Sequence, residues 1–172
     1  MAGPPPPHPQ EVARALDDAV AAGKIRTIGV SNFTIHQTAA LQQFLGNKLV
    51  STQPEISPLR ITCFENGELD QAMMLGLVPM AWSPLSGGRL AHPETPRDKA
   101  VVEALAKVAT EQGVSLTVAA YAWLMAHPAG IVPIIGSQQP ERIAEGAKAR
   151  DVRWSREDWY AVLVAARGER LP

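Results

Sequence analysis

Small polar side chains follow each of four short apolar segments of this 172-residue chain. The residues at these four places are Ser31 with Asn32, Gln53, Ser83 after Trp82, and Ser137 after Gly136. The last pair leads into a segment of helical pattern that carries Arg142. Backbone N–H groups at the start of a helix attract anions. If the four segments meet at one place, these residues would form a ligand site with a phosphate-binding end.

The spacing of apolar residues predicts the elements that would position these side chains. Short apolar runs predict four strands, at residues 24–30, 50–55, 77–82 and 131–135. Apolar residues at helical spacing predict helices from residue 11 to a stop at Gly23, from a cap at Thr34 through residue 45, and at residues 65–75, 98–112, 116–126, 140–149 and 155–166. Strands joined by helical crossovers lie parallel, so the predicted fold class is α/β. In a β/α barrel the ends of several such strands converge on one site.

The overall charge excludes several classes of partner. Sixteen Lys and Arg residues balance 17 Asp and Glu residues, for a net charge of −1, and no long block carries one sign. We therefore expect neither nucleic acid nor an anionic membrane surface as a partner. The apolar runs are far shorter than the roughly 18 residues that span a bilayer. The sequence predicts no membrane-spanning segment.

The composition, 46% hydrophobic and 19% charged, is typical of one globular domain. Five of the first ten residues are proline, which predicts a disordered leader over residues 1–10 and a single domain over residues 11–172. The one cysteine, Cys63, cannot form an internal disulfide. Together with the lack of a secretory signal, this predicts a reducing, cytoplasmic location.

Two common nucleotide-binding motifs and a metal site are not predicted. No Gly-x-Gly-x-x-Gly follows a predicted strand, and no Gly-x-x-x-x-Gly-Lys-[Ser/Thr] occurs in the sequence. The four histidines stand at no metal-ligand spacing, and no cysteine lies beside them. An ordinary Rossmann or P-loop protein is therefore disfavoured.

Four ordered segments resemble the second half of the aldo-keto reductases. They are GKIRTIGVSNF at 23–33, QPEISPL at 53–59, MAWSPLSGG at 80–88 and PIIGSQQPER at 133–142. The resemblance covers the chain from about residue 10 to its end. That family folds as a (β/α)8 TIM barrel and reduces carbonyls with NADPH. The resemblance implies that this chain holds strands five to eight, which is a half barrel of about four parallel strands.

The resemblance also assigns a nicotinamide subsite. Ser31, Asn32 and Gln53 match the positions that hydrogen-bond the carboxamide of the nicotinamide. Both donors and acceptors are needed there to fix which face of the ring meets the substrate. Trp82 matches the aromatic residue on which the ring stacks.

The remaining cofactor positions fall on two loops. The family's loop over the pyrophosphate is matched by Ser83, Leu85 and Gly87. Its segment for the adenosine 2′-phosphate and adenine is matched by Gly136, Ser137, Arg142 and Glu145. Where many members have Lys and Asn, this chain has Gly136 and Gly146. The implied cofactor is NADP rather than NAD, on the strength of Ser137 and Arg142.

No catalytic residue is assigned. The family's Asp, Tyr, Lys and His tetrad lies on its first four strands, outside the part that this chain matches. Tyr121 and Tyr160 are in predicted helices, with no Lys or His at a strand end to lower a phenol pKa of about 10. The sequence therefore predicts that the chain by itself does not reduce carbonyls.

Three alternatives remain open from the sequence. In the first, the chain is the cofactor half of an oxidoreductase whose other half was lost, cut off by a misplaced start codon, or supplied by another chain. In the second, it is a non-catalytic module that binds a nicotinamide dinucleotide or assembles with itself. In the third, it is an inert truncated remnant. An open half barrel has two unpaired strand edges, and Ile28, Val30 and Ile134 are expected to face its interior, so we predict a homo-oligomer.

Overall fold

The computed structural model describes residues 7–170, and its four strands form one parallel sheet. The strands are β1 (Ile28–Ser31), β2 (Leu49–Gln53), β3 (Val78–Ala81) and β4 (Val132–Pro133). They lie in the order β1-β2-β3-β4, so neighbours in sequence are neighbours in the sheet. The predicted α/β class with four parallel strands is confirmed.

Helices connect the strands and follow the last of them. Within residues 7–170 they are α1 (Pro9–Ala21), α2 (Ile35–Phe44), α3 (Glu68–Leu75), α4 (Pro96–Glu111), α5 (Leu116–Met125), α6 (Pro140–Ala147) and α7 (Arg156–Arg167). Thr34 caps α2 through a capping box with Gln37, as its side chain predicts, and Gly76 ends α3 with a φ of 68°. The predicted helices are confirmed with small shifts at their ends.

The first helix begins earlier than the sequence predicts, at Pro9 instead of Glu11. Proline is tolerated in the first helical turn because the N–H group that it lacks would have no partner there. The side chain of His8 caps this helix by accepting a hydrogen bond from the Gln10 N–H at 3.2 Å. The predicted leader over residues 1–10 therefore does not extend into Pro9 and Gln10, which are helical. Residues 1–6 lie outside the described residues, and for them the leader stays a prediction.

The apolar side chains of β1 point to the opposite face of the sheet from the one predicted. Ile28 and Val30 were expected to face the interior of a barrel, but they are buried in one core cluster with Ala13 of α1 and Leu41 of α2. Successive side chains of a strand point to opposite faces. The face of β1 that points away from the helices therefore carries Gly29 and Ser31, and that part of the prediction was wrong.

The face away from the helices is small and polar across the first two strands. Gly29 pairs with Ser51, and Ser31 pairs with Gln53. A β-carbon on Gly29 would lie 2.2 Å from the Ser51 Oγ and 3.1 Å from the Ser51 carbonyl oxygen. A larger residue at position 29 would therefore have to turn the Ser51 side chain and shift the strands slightly, so glycine favours this register of β1 and β2.

The fourth strand is shorter than predicted, because only Val132 and Pro133 of residues 131–135 pair as a strand. Pro133 has no N–H group to donate to a neighbour. The Ile134 N–H still donates to the Ala81 carbonyl at 2.9 Å, and the chain then leaves the sheet. Ile135 and Gly136 are free to line a cleft beside the strand end.

The tryptophans Trp123 of α5 and Trp159 of α7 fix these two helices to each other. Their rings stack with centroids 5.2 Å apart. The Trp123 indole N–H donates to the Trp159 carbonyl at 3.0 Å, and the Trp159 indole N–H donates to the Trp123 carbonyl at 2.9 Å. This packing holds α5 in the core, beside the end of β4.

Candidate functional site

The carboxyl ends of β1 and β2 bring the first predicted site residues together. Ser31 and Gln53 are paired in register at the last positions of these strands. The Ser31 hydroxyl donates to the Gln53 carbonyl at 2.9 Å, and the Asn32 N–H donates to the same oxygen at 3.2 Å. Three of the predicted nicotinamide residues are therefore joined directly at one edge of the sheet.

A hydrogen bond links Asn32 to Trp82 across the end of β2. The Trp82 indole N–H donates to the Asn32 Oδ1 at 2.8 Å, and the Trp82 backbone N–H donates to the Pro54 carbonyl at 3.1 Å. Asn32 has a φ of 56°, a left-handed conformation that asparagine adopts more readily than most residues. Because its oxygen accepts from Trp82, its side-chain NH2 group is left to donate to another partner.

The loop between β3 and α4, residues 82–95, has an unusual backbone. Ser83, Ser86, Gly87 and Gly88 have φ values of 52°, 58°, 62° and 93°. A β-carbon built on Gly87 or Gly88 meets no atom within 4 Å, so the backbone at these glycines borders open space. Successive N–H groups in turns of this kind form concave surfaces that bind anions.

A cleft with a volume of about 600 Å³ separates this loop from the segment that follows β4. Its lining includes predicted site residues from both sides: Ser83, Leu85 and Gly87 on the β3–α4 loop, and Gly136, Ser137, Arg142 and Glu145 after β4. We call this the β3–β4 cleft. Its volume falls in the range of ligand pockets in proteins.

The other predicted site residues do not line the β3–β4 cleft. Asn32 and Trp82 line a smaller cavity of about 340 Å³. Ser31 and Gln53 are at the paired ends of β1 and β2. The predicted site therefore has two parts, a cleft at β3 and β4 and a polar cluster at the ends of β1 and β2. Trp82 follows directly on β3 and is hydrogen-bonded to Asn32 of the polar cluster.

Sequence reasoning missed the α5 side of the cleft. Thr117 and Tyr121 line it together with Ile134 and Ile135. Burial, and after it the charge of Glu145, raises the pKa of the Tyr121 phenol. Most residues of α5 are buried, so its apolar residues do not single out one face and the sequence offers no periodic signal for a cleft residue.

The position of α6 depends on close packing at Gly146. A β-carbon there would lie 2.7 Å from the Ile135 Cδ1 and 3.4 Å from a ring carbon of Tyr121. Arg142 and Glu145 are three residues apart on α6, so they share one face of the helix, and both line the cleft. The glycine lets that face approach the end of β4.

Among residues 7–170, no helix is both long enough and apolar enough to cross a membrane. Within the same residues, no three or more His, Cys, Asp or Glu side chains are grouped so that they could hold a metal ion.

Parallel strands joined by helices, with a cleft at their carboxyl ends, define part of a β/α barrel of the kind found in enzymes. The sequence model of the aldo/keto reductase family matches residues 1–163. The chain belongs to this family of oxidoreductases, whose members bind a nicotinamide dinucleotide, and the resemblance found in the sequence is confirmed.

Curated relatives support the same family. The chain is 78% identical over 165 residues to a 6-dehydroglucose reductase of Novosphingobium aromaticivorans, covering 96% of this chain and 54% of the relative. It is 40% identical over 165 residues to a 6-dehydroglucose reductase of Agrobacterium fabrum, covering 94% of this chain and 54% of the relative. The chain spans about half the length of the curated relatives it matches.

Solved structures share the fold. A thermostable aldo-keto reductase crystallised with the inhibitor epalrestat superposes with a TM-score of 0.83 at 24% identity, covering 96% of this chain and 57% of that one. An aldose reductase from Giardia lamblia gives 0.78 at 26% identity, covering 100% of this chain and 54% of that one. The predicted partial barrel is therefore confirmed.

Proposed function

We propose that the β3–β4 cleft binds NADP(H), so that the chain is the cofactor-binding half of a carbonyl reductase. The observation that carries this proposal is the meeting of the β3–α4 loop, Arg142 and Glu145 around one cleft, next to the bonded pair of Asn32 and Trp82. In this arrangement the pyrophosphate, the 2′-phosphate and the nicotinamide of the cofactor would each have a matching surface.

The pyrophosphate would lie against the β3–α4 loop. Gly87 and Gly88 have open space where a side chain would project, so a phosphate oxygen can approach the backbone closely there. The Gly88 N–H already donates to the Leu85 carbonyl at 3.2 Å, so the Gly87 N–H is the one that we propose for the phosphate. The neighbouring Ser83 adds a hydroxyl to the wall of the cleft. These groups are neutral, and they bind by hydrogen bonding rather than by charge.

The adenosine 2′-phosphate would lie at the other end, beside Arg142 and Ser137. A guanidinium group binds phosphate through two parallel hydrogen bonds, and the start of α6 adds oriented N–H groups. Gly136 leaves open space beside them, since a β-carbon there meets nothing within 4 Å. We therefore favour NADP over NAD, with Arg142 as the charged group that distinguishes them.

The nicotinamide would lie on Trp82, beside Ser31, Asn32 and Gln53. The hydrogen bond between Trp82 and Asn32 fixes the indole plane and the asparagine amide relative to each other. The Asn32 NH2 group then faces a carboxamide oxygen as a donor, while Gln53 can donate or accept. This arrangement selects one face of the ring.

When bound, the reduced cofactor supplies a hydride to a carbonyl carbon. The residues of this chain bind and orient the cofactor, and we assign none of them to proton donation. Tyr121 is the phenol nearest the cleft, but its pKa is raised, which disfavours proton transfer at neutral pH. The proton donor would therefore come from outside residues 7–170, as would the other half of the barrel.

The substrate proposal rests on the relative from Novosphingobium aromaticivorans, which is 78% identical. We propose that the complete enzyme reduces 6-dehydroglucose, in which the carbonyl at C6 accepts a hydride and a proton to become a hydroxyl. The single cysteine of this chain suits a reducing, cytoplasmic location, which we propose for the protein. Residues 11–172 would form one folding unit of the enzyme.

Titration with NADP tests the proposed function. Isothermal calorimetry on the purified chain should show binding of NADP that is weak, because only one side of the cofactor is enclosed. NADP should bind more tightly than NAD, and AMP should bind less tightly than either. The proposal would be contradicted if circular dichroism shows a folded chain and none of the three ligands gives a heat of binding.

A self-assembling module is the second candidate function. Val78 and Val132 are 45% and 46% exposed, and they begin the neighbouring strands β3 and β4. β1 and β4 are the outer strands of the sheet that the described residues form. A second copy of the chain would cover these valines and pair the open edges. Nicotinamide-dinucleotide binding is compatible with such an assembly.

A further inference from the structure

An ion pair between Arg89 and Asp98 joins the β3–α4 loop to the first turn of α4. The Arg89 NH2 group donates to the Asp98 Oδ1 at 2.7 Å, and its Nε donates to the Oδ2 at 3.3 Å. The Asp98 side chain has 0% of its surface exposed, while that of Arg89 is 49% exposed. A buried anion is thus held by an arginine that reaches it from the loop.

Asp98 has little freedom to release this arginine. The Thr95 hydroxyl donates to the Asp98 Oδ1 at 2.7 Å and accepts from the Asp98 backbone N–H at 3.1 Å. The Thr95 hydroxyl, and after it the Arg89 guanidinium, keeps the pKa of the Asp98 carboxyl below its ordinary value. A buried carboxylate that lost its cation would be strongly destabilised, so the fold favours the closed pair.

Arg89 follows directly on the two glycines whose backbone borders the β3–β4 cleft. Glycines explore many backbone conformations unless other contacts restrain them. On the other side of these glycines, the Ser86 hydroxyl donates to the Oγ of the buried Ser57 at 2.8 Å. Within the turn, the Gly88 N–H donates to the Leu85 carbonyl and the Arg89 N–H donates to the Ser86 carbonyl, both at 3.2 Å. Gly87 and Gly88 are therefore held by these backbone bonds and by two side-chain anchors, of which the Arg89 anchor is the ionic one.

We propose that Arg89 and Asp98 form a positioning pair, which holds Gly87 and Gly88 in the conformation that binds the pyrophosphate and so sets the rate of dinucleotide release. This inference rests on the proposed function of the cleft. Neither side chain is assigned a contact with the cofactor. Their effect is transmitted through the loop backbone, which the pair keeps against α4.

The experiment compares variants of the 172-residue chain by stopped-flow release of NADPH, hydrogen exchange over residues 84–92, and thermal melting. Arg89→Met removes the charge, Arg89→Gln keeps one donor for the buried carboxylate, and Arg89→Lys keeps the charge. Lys107→Met is the matched control, because it breaks the ion pair with Asp158 that links α4 to α7. The Gln variant keeps the test informative if the Met variant does not fold.

Loss of a charged hydrogen bond predicts about tenfold faster NADPH release in Arg89→Met and Arg89→Gln, with faster exchange over residues 84–92. Arg89→Lys should restore most of the slow release. Lys107→Met should lower the melting temperature and leave both the release rate and the loop exchange unchanged.

Release at the wild-type rate in both neutral variants would overturn the proposal, as would an equal acceleration in Lys107→Met. A wild-type chain that binds no dinucleotide would overturn the proposed function instead. In that case hydrogen exchange still tests whether the Arg89–Asp98 pair holds the loop. Unchanged exchange over residues 84–92 in Arg89→Gln would overturn that role.

Discussion

The Trp82 indole donates its N–H to the Asn32 side-chain oxygen over 2.8 Å, so two residues 50 positions apart share one bond at the edge of the sheet. This bond fixes the asparagine amide in one of its two orientations, because the oxygen must face the indole. The structure thereby determines which group of Asn32 is offered to a ligand.

Asn32→Ala and Trp82→Ala should each weaken NADP binding. The first removes a neutral hydrogen bond worth about 1 kcal/mol, or about fivefold in the dissociation constant. The second removes the stacking surface and the partner of Asn32, so its effect should be larger, about tenfold. Calorimetry measures both without relying on tryptophan fluorescence. Gln43→Ala, an exposed amide on α2, is the control, and equal binding by all four proteins would refute the nicotinamide subsite.

Arg142→Met should reduce the preference for NADP. Without the guanidinium, NADP should bind about tenfold more weakly, while NAD, which lacks the 2′-phosphate, should bind as before. Competitive titration with both dinucleotides gives the ratio. Arg150→Met removes the same charge from an exposed position in the turn after α6 and should leave the ratio unchanged. A parallel loss of NADP and NAD binding in Arg142→Met would show that the arginine does not contact the 2′-phosphate.

The purified chain should not oxidise NADPH in the presence of 6-dehydroglucose or simple aldehydes above the buffer rate. A hydride donor without a positioned acid lacks both proton transfer and stabilisation of the developing alkoxide. Absorbance at the NADPH band follows the reaction. Turnover that persists in the Tyr121→Phe and Tyr160→Phe variants, in protein freed of host reductases, would mean that other residues of this chain supply the acid.

In sedimentation equilibrium at micromolar concentration, the chain should form a species larger than its 18.5 kDa monomer. Fully burying an exposed valine contributes roughly 1.5–3 kcal/mol. Val78 and Val132 are 45% and 46% exposed, so covering each of them adds only about half of that, which still favours association. Val78→Lys should shift the equilibrium towards monomer, whereas Met74→Lys, on a 75% exposed position of α3, should not. A compact wild-type monomer with a cooperative melt would exclude the assembly.

Cys63 should be unreactive towards thiol reagents at pH 8 while the chain is folded. Burial, and after it the charge of Glu68, raises its pKa from 9.0 to about 12, so almost no thiolate forms. The unfolded thiol ionises from about pH 9, and the stability that the neutral buried thiol contributes is therefore lost as pH rises from about 9 to 12. Timed labelling in buffer and in denaturant measures the difference. Equal rates in the two would contradict the burial.

The helices could be predicted from local signals. Thr34 and Gly76 mark helix ends through their own side-chain and backbone chemistry, which the surrounding fold does not alter. The sequence did not show which face of β1 packs against the helices, because Ile28 and Val30 are equally suited to a barrel interior and to contact with a helix layer. The alternating small residues Gly29 and Ser31 mark the opposite face, but Ser31 was interpreted as a ligand-binding residue.

The polar residues of the candidate site, such as Ser31 and Ser83, could be identified from their places after the predicted strands, whereas Gly87 was assigned through the family resemblance. The site was not predictable on α5, where Tyr121 is embedded in an apolar helix. The short β4 was missed for a related reason. Residues 131–135 are apolar throughout, so their pattern does not show that the strand pairing covers only Val132 and Pro133.

Gly146 determines how much room the Ile135 side chain has beside α6. A β-carbon at position 146 would lie 2.7 Å from the Ile135 Cδ1, so a larger residue there would displace the end of that side chain. Ile135 also lines the β3–β4 cleft. A substitution at position 146 would therefore reshape the wall of the cleft through Ile135, without itself contacting a bound ligand.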